Sequence, residues 1–201
     1  MNWKKALGIV LAVLIADQTL KFYIKTHFTL GESKRITSWF HLLFVENNGI
    51  AFGLEFGNSW GKLFLTVFRI VAIVLIVIWL DKAIKARNTW LAIAVSLILA
   101  GALGNIIDSV FYGKIFSDST HHPAQFLPQG GGYGQWFKGK VVDMFYFPLF
   151  SFKLPSWIPK WGGQQYTFFN AIFNIADSAI TIGVIIILLF NKKIFTKQKE
   201  N

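Results

Sequence analysis

The 201-residue chain contains no cysteine. This absence excludes disulfide bonds, a thiolate nucleophile and a cysteine-based metal site. Charged residues are also scarce, at 15% of the sequence, where a soluble domain carries roughly a quarter. Hydrophobic residues instead make up 54%, including 21 Phe and 8 Trp. The composition therefore predicts a protein whose solvent is the lipid bilayer.

Four apolar runs have the length of membrane spans, at residues 6–24, 61–80, 90–107 and 170–190. Each is close to the ~20 residues that cross ~30 Å of hydrocarbon. A basic start before an apolar run also fits a cleavable signal peptide, but Asp17 and Lys21 interrupt the cleavage region and predict a retained first span. We predict one integral membrane domain over residues 1–201, with four transmembrane helices and long loops at 27–60 and 108–169.

The basic residues indicate how the spans are oriented. Lys and Arg are dense in three short segments, residues 1–5, 81–89 and 191–201, and much sparser in the two long loops. The positive-inside rule therefore predicts that these segments and both termini are cytoplasmic and that the long loops face outward. Because the positive charge lies at span ends, against anionic lipid, the net charge of +10 does not predict nucleic-acid binding.

The first long loop contains Asn48-Gly49 between two apolar and aromatic runs. Asn-Gly predicts a hairpin turn, because both residues tolerate positive φ in a type I′ turn. In a second interpretation, Asn47 and its neighbours present an amide to a bound peptide. The residues alone leave both interpretations open.

The second long loop is rich in Gly, Pro and aromatic residues. Its insert at 112–140 is either a lid over a site or a tolerated surface insertion. The Trp-rich stretch at 157–161 is typical of an interfacial belt on lipid headgroups. Asp118, His121 and His122 are potential metal ligands, but two adjacent His in a polar loop are more typical of solvated surface, so we predict no metal site.

Four of the ten acidic residues lie in or beside apolar segments, namely Asp17, Asp108, Asp143 and Asp177. An ionised carboxylate in hydrocarbon costs at least ~2.5 kcal/mol, so an intramembrane acid is functional by default unless a partner neutralises it. Asp17 and Lys21 are four residues apart and therefore share a helix face. This spacing favours a structural ion pair over contact with substrate.

The third and fourth spans both contain the pattern Asn-Ile-x-Asp-Ser. The pattern places Asn105 beside Asp108, and Asn174 beside Asp177, at the i, i+3 spacing of one helix face. Both pairs lie near the predicted outer boundary of the membrane. Small residues at 101–104 predict that the third span packs closely against a neighbouring helix.

Asp143 stands in the apolar stretch KVVDMFYF, shortly before the chain returns to the fourth span. It either caps a local turn or meets Asp177 at the membrane surface. Two carboxylates held close together share a proton, so one can activate a water while the other protonates a leaving group. The residues leave two classes open, an aspartyl hydrolase at the outer face and a small proton- or ion-coupled carrier that uses the same acids.

Five motifs follow one another along nearly the whole chain: ADQTLK, NNGIAFG, GALGNIID, VVDMF and FNIADSAI. Together, in this order, they resemble the lipoprotein signal peptidase family, also called type II signal peptidase. The resemblance implies a membrane aspartic endopeptidase, without a cofactor, that removes the signal peptide from diacylglyceryl-modified bacterial prolipoproteins by cleaving before the lipidated cysteine. It also implies an all-α membrane fold with a small extracytoplasmic β-sheet cradle and loop insertions.

By their positions in these motifs, Asp143 and Asp177 are implied to be the catalytic pair. Further positions match the family around the site, namely Asn47, Gly49, Asn105, Asp108 and Asn174, together with Asp17 and Lys21 as the polar pair of the first span. We expect Asn105 and Asn174 to orient the two carboxylates through hydrogen bonds.

One departure from the family pattern affects charge near the site. Ser109 stands where the family usually has an arginine, and Lys114 and Lys140 are the candidates to supply the missing charge. The expected partners are the prolipoprotein substrate and membrane lipid, with no nucleic acid. We expect a multi-pass monomer in the bacterial cytoplasmic (inner) membrane, with its active site near the outer face.

Overall fold

The computed structural model describes residues 1–47 and 59–196, and within them it leaves out the side chains of residues 59–66. Its long helices are α1 (Trp3–His27), α2 (Ser59–Lys85), α3 (Thr89–Ile107) and α5 (Ile175–Leu189). A π-helical turn, Asp108–Tyr112, joins α3 to the short helix α4 (Gly113–Ile115), and α6 (Asn191–Phe195) follows α5.

Two of these helices are long and apolar enough to cross a membrane, within the part of the chain described. They are α1 and the continuous helical segment Thr89–Ile115, which comprises α3, the π-helical turn and α4. Helix α5 is a shorter apolar helix. The protein therefore combines apolar helices of membrane-spanning character with a small amount of sheet.

The start of α5 is set by a capping box rather than by the apolar run alone. The side chain of Asn174 accepts a hydrogen bond from the backbone N–H of Asp177 at 2.9 Å, and the Asp177 carboxylate accepts one from the backbone N–H of Asn174 at 3.3 Å. The helix consequently begins at Ile175, five residues after the start of the predicted span at 170. The same contacts place Asp177 in the first turn of α5.

Glycines allow α3 and α5 to approach each other closely. A Cβ atom at Gly101 would lie 2.2 Å from the carbonyl oxygen of Ala176, and one at Gly104 would lie 2.7 Å from the carboxylate of Asp17. Any side chain at these positions would separate the helices. The predicted close packing at residues 101–104 is confirmed.

The N-terminus, the α2–α3 connection and α6 meet at one end of the helices. The amino group of Met1 donates to Thr89 Oγ1 at 3.3 Å, and Asn88 Nδ2 donates to the carbonyl oxygen of Ile194 at 2.8 Å. The three lysine- and arginine-rich segments identified in the sequence therefore share this end.

A small antiparallel sheet lies at the opposite end. Its order is β1 (Ser33–Arg35), β2 (His41–Asn47), β3 (Val141–Tyr146) and β6 (Ile172–Phe173). Val45 lies opposite Asp143 and Asn47 lies opposite Val141 in the β2–β3 register. A separate two-stranded ribbon pairs β4 (Phe150–Lys153) with β5 (Gln165–Phe168). The sheet predicted from the family resemblance is thus present.

The insert at 112–140 folds back onto the C-terminal end of α1. The backbone N–H of Ala124 donates to the carbonyl oxygen of Lys25 at 2.9 Å. The ammonium of Lys25 is fully buried, where it contacts the carboxylate of Glu46 and donates to Ser119 Oγ at 2.8 Å. Through these buried contacts, the insert links the C-terminal end of α1 to β2.

Candidate active site

The sheet and α5 bring Asp143 and Asp177, here called the aspartate pair, to one place. Asn174 Nδ2 donates to Asp143 Oδ1 at 2.7 Å, and Asn47 Nδ2 donates to the other oxygen of that carboxylate at 3.2 Å. Asn105 Nδ2 donates to Asp177 Oδ1 at 2.8 Å. The hydrogen bonds predicted from Asn105 and Asn174 are therefore present, and Asn174 also donates to Asn105 Oδ1 at 3.1 Å.

Both carboxylates line a single cavity of about 430 Å³. Residues from β2, α2, α3, β3 and α5 surround it, namely Asn47, Arg69, Ala72, Ala102, Asn105, Val141, Asp143, Asp177 and Ile180. Its lining combines amides, carboxylates and one guanidinium with aliphatic side chains. A cavity that is largely apolar with a few polar groups is typical of a binding site.

Asp143 is the more deeply buried member of the pair, with 4% of its surface exposed. Burial, and next the negative charge of Asp177, raise the pKa of Asp143 to about 7, against hydrogen bonds from Asn47 and Asn174 that favour the ionised form. The pair therefore holds a proton close to neutral pH. This is the protonation state that general acid–base hydrolysis requires.

A second acidic group lies beside the pair, and we call its four residues, Asp17, Gln18, Lys21 and Asp108, the closed cluster. The ammonium of Lys21 lies 3.0 Å from Asp17 and 2.8 Å from Asp108, and all three side chains are at most 1% exposed. Gln18 Nε2 donates to both carboxylates, at 3.1 Å and 2.9 Å. The predicted ion pair of Asp17 and Lys21 is confirmed, and Asp108 and Gln18 complete it.

The closed cluster holds the backbone that carries the aspartate pair. The N–H of Ala176 on α5 donates to Asp17 at 2.9 Å, and the N–H of Val142 on β3 donates to Asp108 at 3.2 Å. Each of these N–H groups belongs to the residue immediately before a member of the pair. The Lys21 ammonium also donates to Asn105 Oδ1 at 2.9 Å, so the cluster orients the amide that contacts Asp177.

Arg69 on α2 is the site residue that sequence reasoning missed. Its Nη1 donates to Ser109 Oγ at 3.2 Å, at the position where a charge was expected from Lys114 or Lys140. That expectation is wrong, because Lys114 is exposed and Lys140 contacts Glu46 at 3.1 Å. The available signal was an arginine inside an otherwise apolar run, which by itself marks a functional candidate.

The turn and the potential metal ligands predicted from the two long loops have different outcomes. Gly49 and the Asn48-Gly49 turn fall outside the described residues. Asp118, His121 and His122 are exposed on the insert. Over residues 1–47 and 59–196, no group of three His, Asp or Glu is placed to hold a metal ion.

Two carboxylates that line one cavity, with a proton held near neutral pH and apolar helices around them, have the arrangement that hydrolysis by an aspartic-type enzyme of a membrane requires. Comparison with known proteins makes this class specific. The sequence profile described as signal peptidase (SPase) II matches residues 9–192. The chain belongs to the signal peptidase II family of proteases.

The curated relatives extend over nearly the whole chain. The chain is 49% identical over 188 residues to the lipoprotein signal peptidase of Porphyromonas gingivalis, covering 92% of this chain and 82% of the relative. It is 40% identical over 190 residues to the lipoprotein signal peptidase of Amoebophilus asiaticus, covering 92% and 76%.

Solved structures support the same fold. A bacterial membrane enzyme determined by the in meso method superposes with a TM-score of 0.62 at 27% identity, covering 95% of this chain and 89% of the other. A second, also described as a bacterial membrane enzyme, gives 0.63 at 29% identity, with coverage of 93% and 92%. The architecture of apolar helices and a small sheet is therefore that of a bacterial membrane enzyme.

Proposed function

We propose that this protein removes the signal peptide from diacylglyceryl-modified prolipoproteins by cleaving before the lipidated cysteine, as a monomer without a cofactor. The observation that carries the proposal is the single cavity lined by both Asp143 and Asp177. The names of the curated relatives, lipoprotein signal peptidases, support the choice of substrate.

The aliphatic part of the cavity lining suits the apolar signal peptide of such a substrate. Ala72, Ala102, Val141 and Ile180 offer an apolar surface to a helical signal peptide. The diacylglyceryl group on the other side of the scissile bond remains in lipid, so the bond is presented at the depth of the aspartate pair. This fit explains why a carboxylate is placed at the start of an apolar helix.

In the mechanism that we propose, the pair shares one proton and acts on a water molecule. Asp177 lies in the first turn of α5, where the helix dipole stabilises negative charge, and takes a proton from the water as it attacks the peptide carbonyl. Asp143, buried and protonated, donates its proton to the leaving nitrogen. The pH dependence of the reaction belongs to the pair as a whole.

We further propose four membrane spans, formed by α1, α2, the continuous helix Thr89–Ile115, and α5. α2 has 27 residues, enough to cross ~30 Å of hydrocarbon. The end that gathers the basic segments is cytoplasmic, and the sheet and the aspartate pair face outward from the cytoplasmic membrane. A carrier is less consistent with this arrangement, since its acids would lie near the midplane.

The β4–β5 ribbon supports contact with lipid at the outer surface. Trp157 and Trp161, in the loop between its strands, are 79% and 55% exposed, and Lys153 and Lys160 accompany them. No acidic residue lies between Asp143 and Asp177 in the sequence. Exposed aromatic rings with lysines and no acids fit the headgroup layer of anionic lipid.

The position of the ribbon can be measured directly, because the cysteine-free chain accepts single labels. A spin label at Trp157→Cys in vesicles should collide more with lipid-soluble oxygen than with a water-soluble nickel chelate. A label at His121→Cys, exposed on the insert, should show the opposite preference. Equal preference for the nickel chelate at both sites would place the ribbon in water.

The function is tested with one precursor in two forms, with and without diacylglycerol on its cysteine. We expect the purified protein in micelles to cleave the modified form, and mass spectrometry to find the lipidated cysteine at the new N-terminus. Faster cleavage of the unmodified form, or cleavage elsewhere, would contradict the proposed substrate. Failure to cleave either form in a folded preparation would favour the carrier.

A further inference from the structure

Arg69 is a cation on an apolar helix surface. Its neighbours on α2, Val67, Phe68, Ile70 and Val71, are exposed apolar side chains. A charged residue among such neighbours is costly in a bilayer and needs a polar partner. Arg69 is half-buried and donates to Ser109 Oγ at 3.2 Å, and Ser109 in turn donates to the carbonyl oxygen of Asn105 at 3.0 Å.

Arg69 lines the same cavity as the aspartate pair. Arg69, Asp143 and Asp177 all line its wall, and the charge of Arg69 interacts with those of Asp177 and Asp108. Asp108 already has a cation, since Lys21 lies 2.8 Å from it. Asp177 is therefore the carboxylate for which the charge of Arg69 matters most.

The charged groups around the pair come from five elements. Asp17 and Lys21 lie on α1, Arg69 on α2, Asp108 on the π-helical turn, Asp143 on β3 and Asp177 on α5. On the neighbouring strand β2, Glu46 pairs with Lys25 and Lys140. The ammonium of Lys21 in the closed cluster also favours the ionised form of Asp143, so Arg69 adds to a positive charge that already acts on the pair.

A nearby positive charge helps to keep one of two buried carboxylates ionised. Mutual repulsion prevents both acids from ionising together, while burial favours the fully protonated pair, which has no base to activate water. We propose that Arg69 is a positioning residue whose fixed guanidinium charge, held by Ser109, keeps the aspartate pair singly protonated. This inference rests on the proposed function, because it assigns a role within that reaction.

The test compares the pH dependence of kcat/KM for the wild type, Arg69→Lys and Arg69→Gln on the diacylglyceryl-modified precursor. Removing the cation favours the neutral pair, so Arg69→Gln should move the acidic limb of the profile upward by about one pH unit or more. Arg69→Lys retains the charge, and its limb should stay close to that of the wild type even if the rate falls.

Two further variants separate this role from a general structural one. Lys85→Gln removes a cation from the far end of the same helix, where the side chain is 75% exposed, and its profile should superpose on that of the wild type. In the double variant Arg69→Gln, Ser109→Arg, residue 109 carries the guanidinium instead of residue 69. The acidic limb of its kcat/KM profile should return toward that of the wild type.

The possible results separate this inference from the proposed function. A wild type that does not cleave the precursor would refute the proposed function. A wild type that cleaves, together with an Arg69→Gln profile that superposes on it, would refute the role of Arg69 alone. Equal displacement of the limb in Arg69→Lys and Arg69→Gln would also refute it, because the charge would then be irrelevant.

Discussion

The closed cluster and the aspartate pair are neighbouring acidic groups with different surroundings. In the closed cluster, Asp17 and Asp108 share the ammonium of Lys21 and lie away from any opening. In the pair, Asp143 and Asp177 receive hydrogen bonds from amides, and both border the cavity. The number of carboxylates is the same, but the partners and the access to a substrate differ.

This difference shows how one apolar chain uses intramembrane acids for two purposes. An ammonium enclosed with its carboxylates compensates their charge and fixes the backbone around them. Amide donors orient the carboxylates of the pair, while the charge of Arg69 acts from the lining of the open cavity, so a proton can move between the acids and a water. The closed cluster is thus expected to govern stability and the aspartate pair to govern turnover.

Substitution of Asp143 or Asp177 should have the largest effect on turnover. Asp143→Asn and Asp177→Asn each eliminate a proton-transfer group, and turnover should fall by at least ~10²- to 10⁴-fold, with the fold retained in micelles. Asp118→Asn, at an exposed acid on the insert, is the matched control and should cleave at the wild-type rate. Substantial cleavage by either pair variant would remove that residue from the chemistry.

Breaking the closed cluster should instead affect stability. Lys21→Met leaves two buried carboxylates without their cation, and such a loss typically costs ~3–5 kcal/mol. Thermal unfolding in micelles should show a clear drop in Tm. Lys85→Met breaks an exposed pair with Asp81 and should leave Tm nearly unchanged. Equal Tm values for the two variants would contradict a structural role for the cluster.

The aspartate pair should also make the stability of the protein depend on pH. The pKa of Asp143 is raised from 3.8 to about 7, so the folded state binds more protons than the unfolded state between these values. Stability from this residue is therefore present at low pH and lost as pH rises through the window, by at most ~1.4 kcal/mol per pH unit. The Tm difference between wild type and Asp143→Asn should follow this trend, and a constant difference from pH ~4 to ~7 would refute it.

A smaller effect is expected from the packing that brings the two groups together. Gly101→Ala introduces a Cβ 2.2 Å from the carbonyl oxygen of Ala176, and such overpacking costs ~1–3 kcal/mol. Gly8→Ala on α1 is the control, because a Cβ there meets nothing within 4 Å. We expect lower Tm and slower cleavage only for Gly101→Ala. Similar behaviour of the two variants would show that α5 can shift without consequence.

The sequence predicted the groups that depend on local spacing or on motif position. The ion pair of Asp17 and Lys21 follows from i, i+4 geometry. The i, i+3 spacing predicted that Asn174 lies beside Asp177, but as neighbours on one helix face, whereas Asn174 is the N-cap that precedes α5. The convergence of Asp143 on Asp177 came from the motif resemblance, because β3 and α5 are separated by a long loop. Local spacing carries no information about such a contact.

What sequence reasoning missed are contacts between distant segments. Asp108 was placed around the pair, but its contact with Lys21 depends on how α1 crosses the end of α3. Arg69 reaches Ser109 from a different helix, so proximity in sequence favoured Lys114 and Lys140 instead. The packing of α2 against the end of α3, rather than any local sequence pattern, determines which cation lies at the site.

We expect the aspartate pair to hold one proton near neutral pH, with most of it on Asp143. Infrared difference spectroscopy of wild type minus Asp143→Asn tests this most directly, because protonated and ionised carboxyl groups absorb at different frequencies. We expect a protonated-carboxyl band from Asp143 that fades as pH rises past about 7. A difference spectrum that shows only an ionised carboxylate on the acidic side of that pH would contradict it.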